Sequence, residues 1–240
     1  MSEKPDTVVH LVRHGEVENP RRVLYGRRPG FHLSADGRVQ AKAVADFLSH
    51  AGPDGQRLRN IVLDPILKSS SGADLLDVPG TRVLIERLIP LADVVTPNID
   101  EAAAITGQKV KDLDEMKAAA AKLHELGAQA LVITGGHLEK AIDLLSFTTK
   151  RGIEQETFKS ERQRSNSTHG TGCAFATAMA CHLAQGRGLP EAVLLAKAYV
   201  TAAISNAHPM GRGVGPVHHL YRMFQPQRRP NSSGDAEPVQ

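Results

Sequence analysis

Apolar positions along the chain alternate between a period of two and a period near 3.6, and each change of period marks an element. A short β-branched run, Thr7 to Arg13 (TVVHLVR), predicts a first strand ending in the polar cluster His14, Gly15 and Glu16. From Ser34 to His50 the residues Val39, Ala43, Val44 and Phe47 recur at helical spacing behind a serine N-cap. A Gly/Pro/Arg-rich loop, Asn19 to His32, joins the two. The polar, turn-rich stretch 51–60 (AGPDGQRLRN) is the best candidate for a boundary.

Beyond it the alternation restarts. Strands are predicted at Asn60 to Leu63, Asp93 to Thr96 and Ala130 to Thr134. Helices are predicted at Thr81 to Ala92, Ile99 to Thr106 and Leu113 to Leu126. Two further strands, Ala141 to Thr148 and Gly152 to Phe158, read as a hairpin, followed by helices at Thr171 to Gln185 and Pro190 to Ala207. Strands alternating with helices argue for a largely parallel sheet with helices on its faces. The polar, Pro-rich stretch from Gln225 reads as a disordered tail, and no internal repeat is visible.

Composition narrows the class. The hydrophobic share of 41% beside 23% charged residues is that of a globular chain with a sizeable core. Only 4% of residues are aromatic and none is Trp, which argues against stacking platforms for nucleic acid. A net charge of +3, from 29 basic and 26 acidic residues, is too balanced to point to nucleic acid or anionic membrane as partner. The longest apolar stretch, Cys173 to Ala184, is interrupted by His182 and falls short of a membrane span. Cys173 and Cys181, eight residues apart on one predicted helix, are about 12 Å apart and cannot bridge each other. Free thiols, and an N-terminus lacking a long apolar stretch behind a basic one, point to the cytoplasm.

Three clusters carry chemistry. His169-Gly170-Thr171-Gly172-Cys173 opens a helix, and free N–H groups at a glycine-rich helix start form a site for a phosphoryl group. The helix dipole there is expected to lower the Cys173 thiol pKa and suit it to act as base or nucleophile. A tight turn followed by a small buried cysteine explains the same residues. Asp64, directly after a strand, and Asn98 and Glu101, after the next, fall at the carboxyl edge of a parallel sheet, where a carboxylate can hold Mg²⁺. Asn98 as N-cap with Glu101 as its capping-box partner is the structural alternative, and the same side chains can do both. The third cluster is Arg13-His14-Gly15-Glu16, with Arg21, Arg22, Arg27 and Arg28 nearby. It can place a phosphoryl group on imidazole with guanidiniums on its oxygens and Glu16 or Glu18 as acid; a solvated polar loop is the alternative.

The segments IVLDPILKSSSGADLL, LADVVTPNIDEAAAITG, GAQALVITGGHL, STHGTGCAFATAMACHLAQG and GRGVGPVHH stand in an order that resembles the hydroxymethylpyrimidine/phosphomethylpyrimidine kinases of the ribokinase superfamily. The resemblance covers 61 to about 220. It implies that Gly170, Thr171 and Gly172 form an anion hole, that Cys173 is the catalytic base, and that Glu101 and Asp64 organise Mg²⁺ and ATP. It places Asn98, Thr134, Gly211 and Gly213 along the nucleotide, with a pyrimidine as the small-molecule substrate. Thr134 stands where the family usually has Lys, and the family's first two-fifths has no counterpart. In its place residues 7 to about 50, with RHGE followed by YGRRPGFHLSADGRVQA, resemble the start of the phosphoglycerate mutase-like histidine phosphatases. That implies His14 as phosphohistidine and Arg13 as phosphate clamp, while the family's second catalytic His has no match. His137 resembles it superficially, but the kinase pattern explains that residue better.

The expected fold is therefore α/β: an incomplete three-layer ribokinase-like sheet, mostly parallel, preceded by a strand-loop-helix fragment of a histidine phosphatase. The expected units are a phosphatase-like fragment at 1–52, the kinase part at 53–224 and the tail at 225–240. The leading functional expectation is ATP-dependent phosphorylation of hydroxymethylpyrimidine or its monophosphate in thiamine biosynthesis. The alternatives are a phosphatase or mutase acting through His14, and a non-catalytic fusion or truncation product that at best binds ATP. Missing opening strands leave a sheet edge uncovered unless the phosphatase strand replaces them or the chain forms a homodimer.

Overall fold

In a computed structural model, the chain is described at residues 12, 16–20, 32–49, 58–68, 75–136, 141–161, 163, 165–209 and 211–223. A five-stranded sheet runs β1 (Val62–Leu63), β2 (Val94–Val95), β3 (Ala130–Ile133), β4 (Ala141–Thr149) and β5 (Gly152–Ser160), in that spatial order. The first three strands are parallel. β4 pairs antiparallel with β3 and then with β5, as the hairpin pattern implies.

Alternation along the strands divides the core into two layers. Val95, Leu131, Ile133 and Leu144 face one side, packed against Ala102, Met116, Ala119 and Leu123 from helices α3 (Ile99–Thr106) and α4 (Leu113–Glu125). Val94, Ala130, Val132 and Leu145 face the other, against Phe175, Met179, Val193 and Ala196 from α5 (Thr171–Ala184) and α6 (Leu189–Ser205). All four β3 residues are buried, which is why that strand reads as an unbroken apolar run. The layered α/β/α arrangement matches the expectation.

The helix expected over Thr81 to Ala92 begins earlier, at α2 (Val78–Val83). Asp77 caps it by accepting the Gly80 N–H at 2.7 Å, and Pro79 sits in the first turn, where its missing N–H costs nothing. The helix then widens into a π turn over Leu84–Leu88 and closes as a 3₁₀ turn over Ile89–Leu91. Pro90 cannot donate, and its ring crowds the Glu86 carbonyl four residues back, which accounts for the loosened ladder.

Helix α1 (Ala35–Ser49) forms where the spacing places it, and Ser34 caps it through the Gly37 N–H at 2.9 Å. A Cβ on Gly37 would lie 1.9 Å from the Glu16 carbonyl oxygen, so only glycine allows the preceding segment to cross there. The apolar spacing of this helix is not matched by burial, since Val39 is 67% and Phe47 44% exposed. The first strand, apart from Val12, lies outside the described residues, as do Arg13, His14, His137 and the tail.

Candidate active site

The carboxyl ends of the three parallel strands assemble the site. Asp64 follows β1, Asn98 follows β2 and Thr134 follows β3. Asn98 and Thr134 are drawn together by a parallel bridge, with the Thr134 N–H donating to the Pro97 carbonyl at 2.9 Å. The capping box expected at α3 is present: the Glu101 N–H donates to Asn98 Oδ1 at 2.8 Å, and Glu101 Oε2 accepts the Asn98 N–H at 2.9 Å.

That local role leaves Glu101 only 8% exposed and electrostatically loaded. Burial pushes its carboxyl up to about 7, against N–H groups of Asn98 and Leu67 that pull it down, while the Asp64 charge raises it further. Asp64 is itself raised by burial, partly offset by a hydrogen bond from the Cys173 thiol. The Asp64 charge disfavours a second charge on Glu101, a load that a cation would relieve. Among the described residues no group of three or more His, Cys, Asp or Glu is arranged for a metal. A pair is what Mg²⁺ needs, since it commonly takes one or two carboxylates and completes its shell with water and substrate phosphates.

Opposite them, α5 starts at Gly170, which sits in the left-handed region at φ 83° and provides no side-chain cap. A Cβ built on Gly170 or Gly172 meets no atom within 4 Å, so open space lies over the turn. The helix start carries no side-chain cap and the Thr171 N–H donates to Thr168 O at 3.4 Å, a setting in which backbone N–H groups can meet an anion. The segment after α6 buttresses the turn: His169 N–H donates to Gly215 O at 2.9 Å, Val217 N–H to His169 O at 3.3 Å, and Gly215 N–H to Asn166 O at 2.9 Å. Gly211 and Gly213 lie in an exposed turn leading into this segment, whose ties to the start of α5 run through Gly215, Pro216 and Val217.

One sequence expectation is corrected here. The Cys173 thiol is not lowered but pushed up to about 11, first by burial and then by the charge of Asp64, to which it donates. Much of the residue is exposed, yet Sγ is turned toward the carboxylates, and their field outweighs that of the helix start. The thiol is therefore protonated at neutral pH.

Sequence reasoning missed a second polar unit beside the loop that follows β3. Lys197 of α6 reaches Asp143 of β4 at 2.6 Å, with side chains 12% and 8% exposed. The other Asp143 oxygen accepts the Gly135 N–H at 3.0 Å, which fixes the backbone after Thr134. A lysine in the Val193, Ala196, Ala203 stripe of α6 and an aspartate inside the apolar β4 run were the available signals.

A glycine-opened helix start whose Cys173 thiol meets Asp64 at the parallel edge of a three-layer sheet is the layout of a ribokinase-like α/β protein. The solved structures agree: a Bacillus subtilis pyridoxal kinase in an ADP complex superposes at a TM-score of 0.63 with 35% identity, over 78% of this chain and 66% of that one. A Staphylococcus aureus pyridoxal kinase with AMP-PCP and pyridoxal gives 0.62 with 32% identity, over 77% of this chain and 64% of that one. The chain belongs to the phosphomethylpyrimidine kinase family, whose model matches residues 37–218.

A Streptomyces coelicolor hydroxymethylpyrimidine/phosphomethylpyrimidine kinase is 43% identical over 179 residues, covering 74% of this chain and 63% of that protein. A thiamine biosynthesis bifunctional protein ThiED of Geobacter sulfurreducens is 48% identical over 166 residues, covering 68% of this chain and 33% of that protein. The chain thus spans less than two thirds of the length of these relatives. Residues 9–56 also match the histidine phosphatase superfamily (branch 1), so both families claim residues 37–56 and with them most of α1.

Proposed function

We propose that this protein phosphorylates hydroxymethylpyrimidine or its monophosphate with ATP. The observation that carries the reading is the convergence of Asp64, Glu101 and the Gly170–Cys173 turn at one sheet edge, where the electrostatics couple all three. The family membership and the printed activity of the S. coelicolor relative support the substrate, and the ADP and AMP-PCP complexes of the pyridoxal kinases support the nucleotide.

In this reading the N–H groups over Gly170, Thr171 and Gly172 hold the phosphoryl oxygens in transit, where fixed dipoles stabilise developing charge without reorganising. Glu101 directly, and Asp64 through water, would hold Mg²⁺, which would offset the charge of the phosphates and leave the Asp64 carboxylate free to accept a proton. Asn98, Thr134 and the 211–217 segment border the nucleotide. Because the Cys173 thiol is protonated, it serves as base by relay: Sγ takes the substrate hydroxyl proton as its own proton passes to Asp64. The substrate oxygen bonds to the terminal phosphorus of ATP, the bridging P–O bond breaks, and ADP departs. Residues 53–224 carry all of these groups, and the 1–52 fragment contributes none of them.

The test is transfer of labelled phosphate from ATP to hydroxymethylpyrimidine, its monophosphate or pyridoxal by the full chain, alongside thermal shift with Mg-ATP. Labelled pyrimidine product is expected, with Glu101→Ala losing the Mg-ATP shift and Cys173→Ala keeping the shift but losing turnover. A folded protein that shows neither shift nor product overturns the reading, and product from pyridoxal alone reassigns the substrate.

A further inference from the structure

Lys197 and Asp143 form a charge pair inside the molecule, with side chains 12% and 8% exposed and Nζ donating to Oδ2 at 2.6 Å. Replacing a buried ion pair by apolar residues of similar volume is often neutral or stabilising. Folding alone therefore gives no reason for two charges beside Val193 and Ala196.

What the pair adds is one more rung at the end of a ladder. The pairing of β3 with β4 ends at Ile133 opposite Leu144. Just past that end the buried Gly135 N–H needs an acceptor, and Asp143 Oδ1 supplies it at 3.0 Å. Each carboxylate oxygen thus has its own partner, and the ammonium sets which way the carboxylate faces. On the other side of the same short segment the Thr134 N–H donates to the Pro97 carbonyl at 2.9 Å, and the next residue, Asn98, caps α3 together with Glu101. Hydrogen bonds and chain therefore link α6 continuously to the helix that carries Glu101. A Cβ on Gly136 would meet no atom within 4 Å, so open space lies beside the backbone that this rung holds.

Given the kinase reading proposed above, we infer that Lys197 is a positioning residue for the nucleotide: through Asp143 it holds the backbone of 134–136 against Pro97 and Asn98 in the shape that receives Mg-ATP. Its loss falls on nucleotide affinity and leaves the transfer step alone.

Asp143→Leu combined with Lys197→Met, made in the full chain, separates this role from stability, because it removes both charges and keeps the bulk. Calorimetric titration with Mg-AMP-PCP is expected to show binding about 10-fold weaker than in the parent, the scale of one misplaced hydrogen-bonding group. In turnover the KM for ATP is expected to rise while kcat is kept, as when binding common to ground and transition states is lost. By NMR the Gly135 amide should be protected from hydrogen exchange in the parent and lose that protection in the double variant. A double variant that binds Mg-AMP-PCP as the parent does makes the pair purely structural and overturns the inference, as does a loss confined to kcat. An unprotected Gly135 amide in the parent overturns it without recourse to any variant or nucleotide. A folded parent that binds no Mg-AMP-PCP overturns the kinase reading itself and the inference with it.

Discussion

Replacing Glu101 by glutamine isolates the electrostatic load at the site. Gln accepts the Asn98 N–H as the carboxylate does, so the capping box survives while the charge is removed. The Glu101 carboxyl lies at about 7 in the folded chain against 4.5 ordinarily, so the folded state binds its proton more tightly than the unfolded one. Its contribution to stability is fully present below about pH 4.5 and is lost as the pH rises through about 7. At about 1.4 kcal/mol per pH unit, that gap sets a ceiling of about 3.5 kcal/mol, and residual hydration at the site brings it to about 1–2 kcal/mol. Urea unfolding without divalent cations should show Glu101→Gln more stable than the parent by that amount at pH 8 and indistinguishable from it near pH 4.5. With saturating Mg-ATP the order should reverse, because the variant has lost a ligand for the metal. Equal stabilities at pH 8, or a variant weakened at every pH, would refute the reasoning.

Alkylation of Cys173 followed by peptide mass spectrometry should show a rate inflection near pH 11, with about one thiol in a thousand ionised at pH 8. Asp64→Asn should move the inflection down, and an inflection already below 9 in the parent would contradict the described geometry. Asp143→Asn leaves the Lys197 charge buried without its partner and should cost about 3–5 kcal/mol in urea unfolding, whereas Asp143→Leu combined with Lys197→Met should cost less than the single change. Gly170→Ala meets open space but must hold a left-handed backbone, so a loss of about 1–2 kcal/mol without misfolding is expected by calorimetry.

The strand and helix order was legible because each element of the core reads on its own. Val95, Leu131 and Ile133 alternate with Val94, Ala130 and Val132 between the two core layers, and the TPNIDE capping box is a purely local signal. The carboxyl-edge positions of Asp64, Asn98 and Glu101 followed from the parallel topology, while Thr134 came only with the family resemblance. What escaped depends on distant partners. Asp143 and Lys197 are 54 positions apart, and neither has a local pattern that names the other. The thiol shift went the wrong way because the helix start is visible in sequence, while the carboxylate facing Sγ is brought there only by packing of α5 near β1. The early start of α2 was hidden by Pro79 and Gly80, which look like a loop until Asp77 is seen to cap them.

The outer strand β5 also bears on whether sheets of separate copies could join. It is long and almost wholly exposed, the kind of edge along which molecules can stack into filaments. Glu154, Glu156 and Lys159 interrupt its apolar positions, and two copies laid antiparallel with Glu154 against Glu156 set carboxylates opposite one another. Endless propagation needs two receptive edges on every molecule. The charged positions along β5 make that edge a poorer template for such growth than an uninterrupted apolar strand would be.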